Sequence, residues 1–195
     1  AGFSVDVVSA TLFNALDPLL RGDVDLFVGL DNGEVPVDGL EKEILGMETY
    51  CVIAGAQHPF AKCDEVAFDA LAASNWVLGD HLGAVEEGWR QAFRDRGLAP
   101  PVVEITTSSL EFCKTMLMSS LYLTVLPTQL VEAELENGTL KCIATRDLQW
   151  QRPIALLYRS LARERGGVLA VIDAIHRAAA KLYKQPPQEV EPVGG

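Results

Sequence analysis

Apolar residues along this chain recur with two different periods. Val5–Val8 is a short β-branched run that reads as a strand. Leu12, Leu16, Leu19 and Leu20 fall on one side of a helix running from Leu12 to Arg21, which Thr11 can cap and Gly22 can end, with Pro18 predicted to kink or shorten it. Residues 24–29 (VDLFVG) then read as a buried strand, and strand, helix, strand within about 30 residues is a βαβ unit. Tyr50–Ala54 and Trp76–Gly79 are further strands. Residues 84–96 place Val85, Trp89, Ala92 and Phe93 on one helical face, and Gly97 supplies the stop. Val102–Thr106 is a strand, followed by Ser108-Ser109-Leu110-Glu111, a capping box that opens a helix with Leu110, Cys113, Met116 and Leu117 inward. Leu121–Leu126 is a strand ended by Pro127, Thr128–Glu136 a short helix closed by Asn137-Gly138, and Leu140–Ile143 and Ile154–Tyr158 are strands. Val168–Leu182 is the last helix.

Alternation of strands and helices predicts an α/β protein with a mostly parallel sheet. Residues 44–48 and 144–152 lack strong periodicity and are candidate crossings between two lobes. Internal repeats are absent.

The length of 195 residues suits one large domain or two small lobes, and 49% hydrophobic with 22% charged residues excludes a disordered chain. No apolar run reaches the ~18 residues that span a bilayer, and the opening AGFSVDVVSA has neither the basic nor the apolar region of a secretory signal. The net charge of −11 makes the chain a poor candidate for gripping nucleic acid phosphates by itself. That charge is uneven: residues 1–46 carry nine acids and two bases, whereas residues 151–184 carry seven bases and two acids. The two segments neutralise each other if they fold together; otherwise each is a solvated surface. The tail 185–195, QPPQEVEPVGG, is expected to be disordered.

Candidate chemistry is that of a binder. Cys51, Cys63, Cys113 and Cys142 have neither zinc-site spacing nor that of a small disulfide framework, and read as reduced, mostly buried thiols. No metal site and no cofactor motif is present: G-x-S-x-G, G-x-G-x-x-G, the P-loop and H-E-x-x-H are all missing. Asp80 and His81 follow a strand directly, and loops at the carboxyl ends of parallel strands line ligand crevices, so His81 is the best-placed titratable group. An exposed loop histidine is the plainer alternative. Thr106, Thr107, Ser108 and Ser109 offer hydroxyls and free N–H groups at a helix start, suited to a carboxylate or another anion, with plain capping by Ser108 as the alternative. His58 lies in a turn before Pro59, and His176 on a solvated basic helix face.

Six segments, in order, resemble the effector-binding domain of LysR-type transcriptional regulators. They are residues 19–29 (LLRGDVDLFVG), Val52–Gly55 with His58-Pro59-Phe60, Leu71 with Trp76-Val77-Leu78, Phe93–Pro100, Leu123–Pro127 and Asn137–Leu140. The resemblance implies two Rossmann-like lobes joined by crossover strands, a periplasmic-binding-protein-like type 2 fold. Lobe I would be 1–46 plus 146–184 and lobe II 47–145. It also implies a small-molecule effector (an organic acid, aromatic acid or amino acid) bound in the cleft, a homo-oligomer (dimer or tetramer) in the cytoplasm, and DNA contact only through a separate N-terminal winged helix-turn-helix.

The match starts late. The helix-turn-helix and the first strand and helix of the effector domain have no counterpart in the sequence, which predicts an unpaired strand edge in lobe I. Ser120 and Tyr122 stand where the family carries glycines, which tells against close backbone packing there. Family ligand positions carry over to Leu30, an apolar contact, and to Gly79, Asp80 and His81; Thr107 and Ser108 join them on the helix-start argument. Asp80 argues for a ligand bearing a donor or an amine. The competing readings are a periplasmic-type solute-binding protein and a small-molecule enzyme.

Overall fold

The computed structural model describes residues 3–31, 33, 38–79, 84–146 and 148–183. The chain divides into two compact units, Ala1–Glu48 with Arg152–Gly195, and Thr49–Gln151. The tail 185–195 lies outside the described residues.

In the first unit, α1 (Leu12–Arg21) starts at Thr11, whose hydroxyl accepts from the Asn14 N–H at 3.4 Å. It ends at Gly22, whose φ of 85° is the left-handed conformation glycine adopts without penalty. Pro18 does not shorten the helix. Its missing N–H falls inside the helix, yet its carbonyl is well used, accepting from Gly22, Asp23 and Val24 at 3.0, 2.9 and 3.3 Å.

β1 (Leu26–Leu30) pairs antiparallel with β7 (Trp150–Arg159), which in turn neighbours β2 (Leu40–Gly55). Alternate β7 residues face opposite ways. Ala155 and Leu157 pack with Leu12, Ala15 and Leu19 of α1, while Ile154, Leu156 and Tyr158 pack with Val168, Ile172 and Ala179 of α6 (Gly166–Leu182). Cover on both faces explains why residues 154–158 read as one continuous apolar run.

The acidic and basic segments do fold together. Arg165 and Arg159 both pair with Asp25, and His176 Nε2 lies 2.8 Å from Glu43. His176, expected on a solvated face, is held by that carboxylate.

In the second unit the strand order is β6 (Leu140–Cys142), β2, β5 (Tyr122–Pro127), β3 (Asn75–Gly79), β4 (Val103–Thr107). β3 runs parallel to both β4 and β5, whereas β2 pairs antiparallel with β5 and β6. One side of this sheet carries α4 (Leu110–Ser119), with Cys113 and Leu117 packed on Cys51, Ile53 and Val77. An aromatic cluster forms around Trp76. Its ring meets Trp89 of α3 (Ala84–Arg94) edge-on at 4.9 Å and Phe93 at 6.4 Å, and Phe68 of α2 (Phe68–Ala72) meets Phe93 at 5.2 Å. The short helix read at 128–136 is a 3₁₀ turn, Thr128–Val131, running into α5 (Glu132–Glu136).

Three expectations are corrected. The sheet is mixed, not mostly parallel, because β2 and β7 are long strands that run through the boundary between units and enter their ladders antiparallel. Val5–Val8 forms no strand. No described strand pairs with it, and Val5, Val7 and Val8 are 55%, 88% and 74% exposed, so neither ladder nor core holds it. The cap of α4 is Ser109, which accepts from the Phe112 N–H at 3.2 Å, not Ser108. Glu111 turns instead toward Lys114, at 3.5 Å, leaving the expected capping box unmade.

Candidate functional site

β3 and β4 end together. In their parallel register Leu78 pairs with Thr106 and Gly79 with Thr107, which sets Gly79, Thr107 and the following Ser108 at one carboxyl edge. This is the edge at which open α/β sheets take ligands. Thr107 Oγ1 accepts from the Ser109 N–H at 3.1 Å and Ser109 Oγ accepts from the Phe112 N–H. Those two bonds organise the loop and leave the N–H groups of Leu110 and Glu111 in the open first turn. Ser108 is exposed and makes no side-chain hydrogen bond among the described residues. Its hydroxyl is therefore available to a ligand at no cost in structure. Asp80 and His81 follow Gly79 in the chain and lie outside the described residues.

Leu30 is in the first unit, opposite Ile154 in the β1–β7 ladder and packed on the core around Leu45 and Leu156. The next residue, Asp31, is one that sequence reasoning missed. It is 8% exposed, its N–H donates to the Pro153 carbonyl at 2.8 Å, and its carboxylate accepts from Lys42 Nζ at 3.0 and 3.2 Å and from the Gly33 N–H at 3.1 Å. The pair neutralises the buried charge, so the strand end presents an apolar side chain beside a satisfied ion pair. The D-N-G turn signal at residues 31–33 was visible in the sequence, but its lysine partner was not.

His58 is structural. It is 4% exposed, its Nδ1 accepts from the Phe60 N–H at 3.1 Å, and its ring packs on Phe60 at 4.7 Å. Burial pushes its pKa below the ordinary imidazole range, against the opposing pull of a hydrogen bond to the Leu121 carbonyl. Below about pH 6.5 the unfolded chain then binds a proton that the folded one resists, so stability falls as pH falls through that range. His58→Asn keeps an acceptor and cannot titrate. Urea midpoints measured between about pH 5 and 7 should fall more steeply toward acid for the parent than for this variant.

The cysteines depart from the expected burial: Cys51 and Cys113 are buried, Cys63 and Cys142 are exposed, and all four are free. Where the family's glycines are replaced by Ser120 and Tyr122, close backbone packing is nonetheless present nearby. A Cβ on Gly55 would overlap the Leu117 carbonyl oxygen.

The LysR substrate binding domain family matches residues 2–180. The chain belongs to this family. It is a ligand-sensing regulatory domain with the periplasmic-binding-protein-like type 2 fold. Solved LysR structures resemble it at low identity. The regulatory domain of Neisseria meningitidis MetR superposes with a TM-score of 0.70 at 16% identity, over 96% of this chain and 85% of that one. The Synechocystis CcmR regulatory domain, solved in complex with 2-PG, gives 0.67 at 14%, over 85% and 78%. The Pseudomonas aeruginosa PA01 protein, a LysR family transcriptional regulator by its description, gives 0.66 at 16%, over 87% of this chain and 58% of that one. The present chain thus spans little more than half of that relative's length. At these identities the likeness is one of fold. No curated protein matches by sequence. Among the described residues no helix is long and apolar enough to cross a membrane.

Proposed function

We propose that this domain binds a small-molecule effector and, within a whole cytoplasmic regulator, passes the signal to a DNA-binding module. The observation that carries the reading is the shared carboxyl edge of β3 and β4, where Gly79 and Thr107 stand in register beside the open first turn of α4. The residues proposed to touch the effector are Gly79, Asp80, His81, Thr107 and Ser108 in the second unit and Leu30 in the first. Hydroxyls and first-turn N–H groups suit a carboxylate, Asp80 suits a donor or amine, and Leu30 suits an apolar portion. An organic acid, aromatic acid or amino acid combines these features. Binding alone does not switch anything; the effector must favour one of two packings, proposed here as arrangements of a homo-oligomer, a dimer or tetramer. The domain is a binder and not a catalyst.

A thermal-shift screen of carboxylic acids, amino acids and aromatic acids tests this. The effector should stabilise the chain by about 2.7 kcal/mol at a hundredfold excess over its Kd. Ser108→Ala, which removes an exposed hydroxyl, should weaken binding roughly threefold to tenfold without lowering the ligand-free melting point. Turnover of any compound, abolished by His81→Ala, would overturn the binder reading.

A further inference from the structure

Two thiols distant in sequence meet in the second unit. In the β2–β6 ladder Cys142 stands opposite Ile53, and residues two apart on a strand share a face, so Cys51 is the diagonal neighbour of Cys142. Each thiol is the main influence on the other's acidity. Their environments differ. Cys51 is 3% exposed, whereas Cys142 is exposed at the end of β6. Both line a cavity of about 360 Å³, shared with Asp64, Glu65, Thr145 and Arg146. Arg146 lies 3.5 Å from Glu65.

This geometry divides the work between the sulfurs. The Cys51 thiol lowers the Cys142 pKa, against the opposing effect of burial. The Cys142 thiol, burial and the Cys142 charge all push Cys51 upward. Of the two, Cys142 gives up its proton more readily, and Cys51 holds its own more tightly. Among the described residues no group of three His, Cys, Asp or Glu side chains could hold a metal ion.

We propose that Cys142 is a covalent oxidation site for small hydroperoxides and that Cys51 resolves it to a disulfide. The Cys142 sulfur attacks one peroxide oxygen; the S–O bond forms and the O–O bond breaks. The departing oxygen takes a proton from water, leaving an alcohol (or water) and Cys142 sulfenic acid. The Cys51 sulfur then displaces the sulfenic oxygen, which leaves as water with the Cys51 proton, and the S–S bond forms. Diagonal cross-strand Cα atoms lie about 7–8 Å apart, beyond the roughly 7 Å a disulfide spans without backbone movement, so closure must draw the strands together. The part that gives is β6, three residues long and paired only with β2 among the described strands.

The chain supplies its own controls. Cleavage after Lys and Arg puts each cysteine on a separate peptide: 43–62, 63–90, 97–114 and 142–146. Cys63 is exposed without a thiol neighbour, its Sγ 3.7 Å from the Pro59 carbonyl. The intact chain is treated with limiting hydrogen peroxide, blocked with an alkylating agent and read by non-reducing peptide mass spectrometry. Peptides 43–62 and 142–146 should appear linked, with loss of two hydrogens, several-fold faster than Cys63 is consumed. In Cys51→Ser, Cys142 should stop at a sulfenic acid that dimedone traps. Cys142 reacting no faster than Cys63, or a wild-type product in which Cys142 is oxidised but unlinked to Cys51, overturns the proposal.

Discussion

Gly55→Ala is expected to destabilise the domain by about 2–3 kcal/mol, because the added methyl has no room and its neighbour cannot move away. The new Cβ would overlap the Leu117 carbonyl oxygen and lie 3.1 Å from the Leu117 carbonyl carbon. Both are backbone atoms of α4, whose Cys113 and Leu117 side chains are locked into the core with Ile53 and Val77. Relief requires moving the whole helix off the sheet. Gly88 provides the opposite case. It is exposed inside α3 and a Cβ there meets nothing within 4 Å, so Gly88→Ala should stabilise by about 0.5–1 kcal/mol through helix propensity. Urea unfolding reads both. A Gly55→Ala midpoint equal to the parent's would show that β2 and α4 are not in close backbone contact.

Trp76→Ala should be costlier still, about 3–5 kcal/mol, a large share of the ~5–15 kcal/mol that holds a domain together. Trp76 is fully buried, and its ring is the centre on which Trp89 and Phe93 pack. Its indole N–H donates to the Leu71 carbonyl at 3.0 Å, which ties α2 to β3. Trp89 is equally buried, but its indole nitrogen has no hydrogen-bond partner among the described residues. The two tryptophans therefore separate packing from hydrogen bonding. Replacement by Phe removes similar apolar area at each site, but only Trp76→Phe removes a hydrogen bond, leaving the Leu71 carbonyl with the Ser74 N–H alone, at 3.2 Å. Trp76→Phe should cost about 1 kcal/mol more than Trp89→Phe by denaturant unfolding. Equal costs would mean that the Trp76–Leu71 bond contributes nothing net.

These sites show where the sequence was legible. Helices with a wide apolar stripe, such as α1 and α3, announced themselves by period and by Thr11, Gly22 and Gly97 at their ends. The first half of β2 did not. Residues 41–43 (EKE) look like a solvated loop, yet Lys42 is spent on Asp31 and Glu43 on Tyr158 and His176. Those partners are supplied by the fold and have no trace in local pattern. Val5–Val8 fails in the opposite direction: β-branched composition favours a strand, but a strand exists only with a neighbour to bond. The cap of α4 moved by one residue because Thr107 fixes the Ser109 N–H, so that the Ser109 hydroxyl, not that of Ser108, caps the helix.

The candidate site was legible in part for the same reason. Gly79 and Thr107 each end a strand, and the rule about strand ends needs no tertiary information beyond parallel pairing. The Asp31–Lys42 ion pair and the Cys51–Cys142 contact join residues 11 and 91 positions apart, and only the ladders of β2 reveal them.

Effector binding is proposed at the carboxyl edge of β3 and β4. Amide chemical-shift mapping on the isotope-labelled chain, titrated with the acid that stabilises it best, tests this most directly. Saturable shifts are expected at Gly79, Asp80, His81, Thr107, Ser108 and the first turn of α4, with Leu30 responding in the first unit. Saturable shifts that leave these amides unmoved and gather elsewhere, for example around Glu65 and Cys142–Arg146, would contradict it.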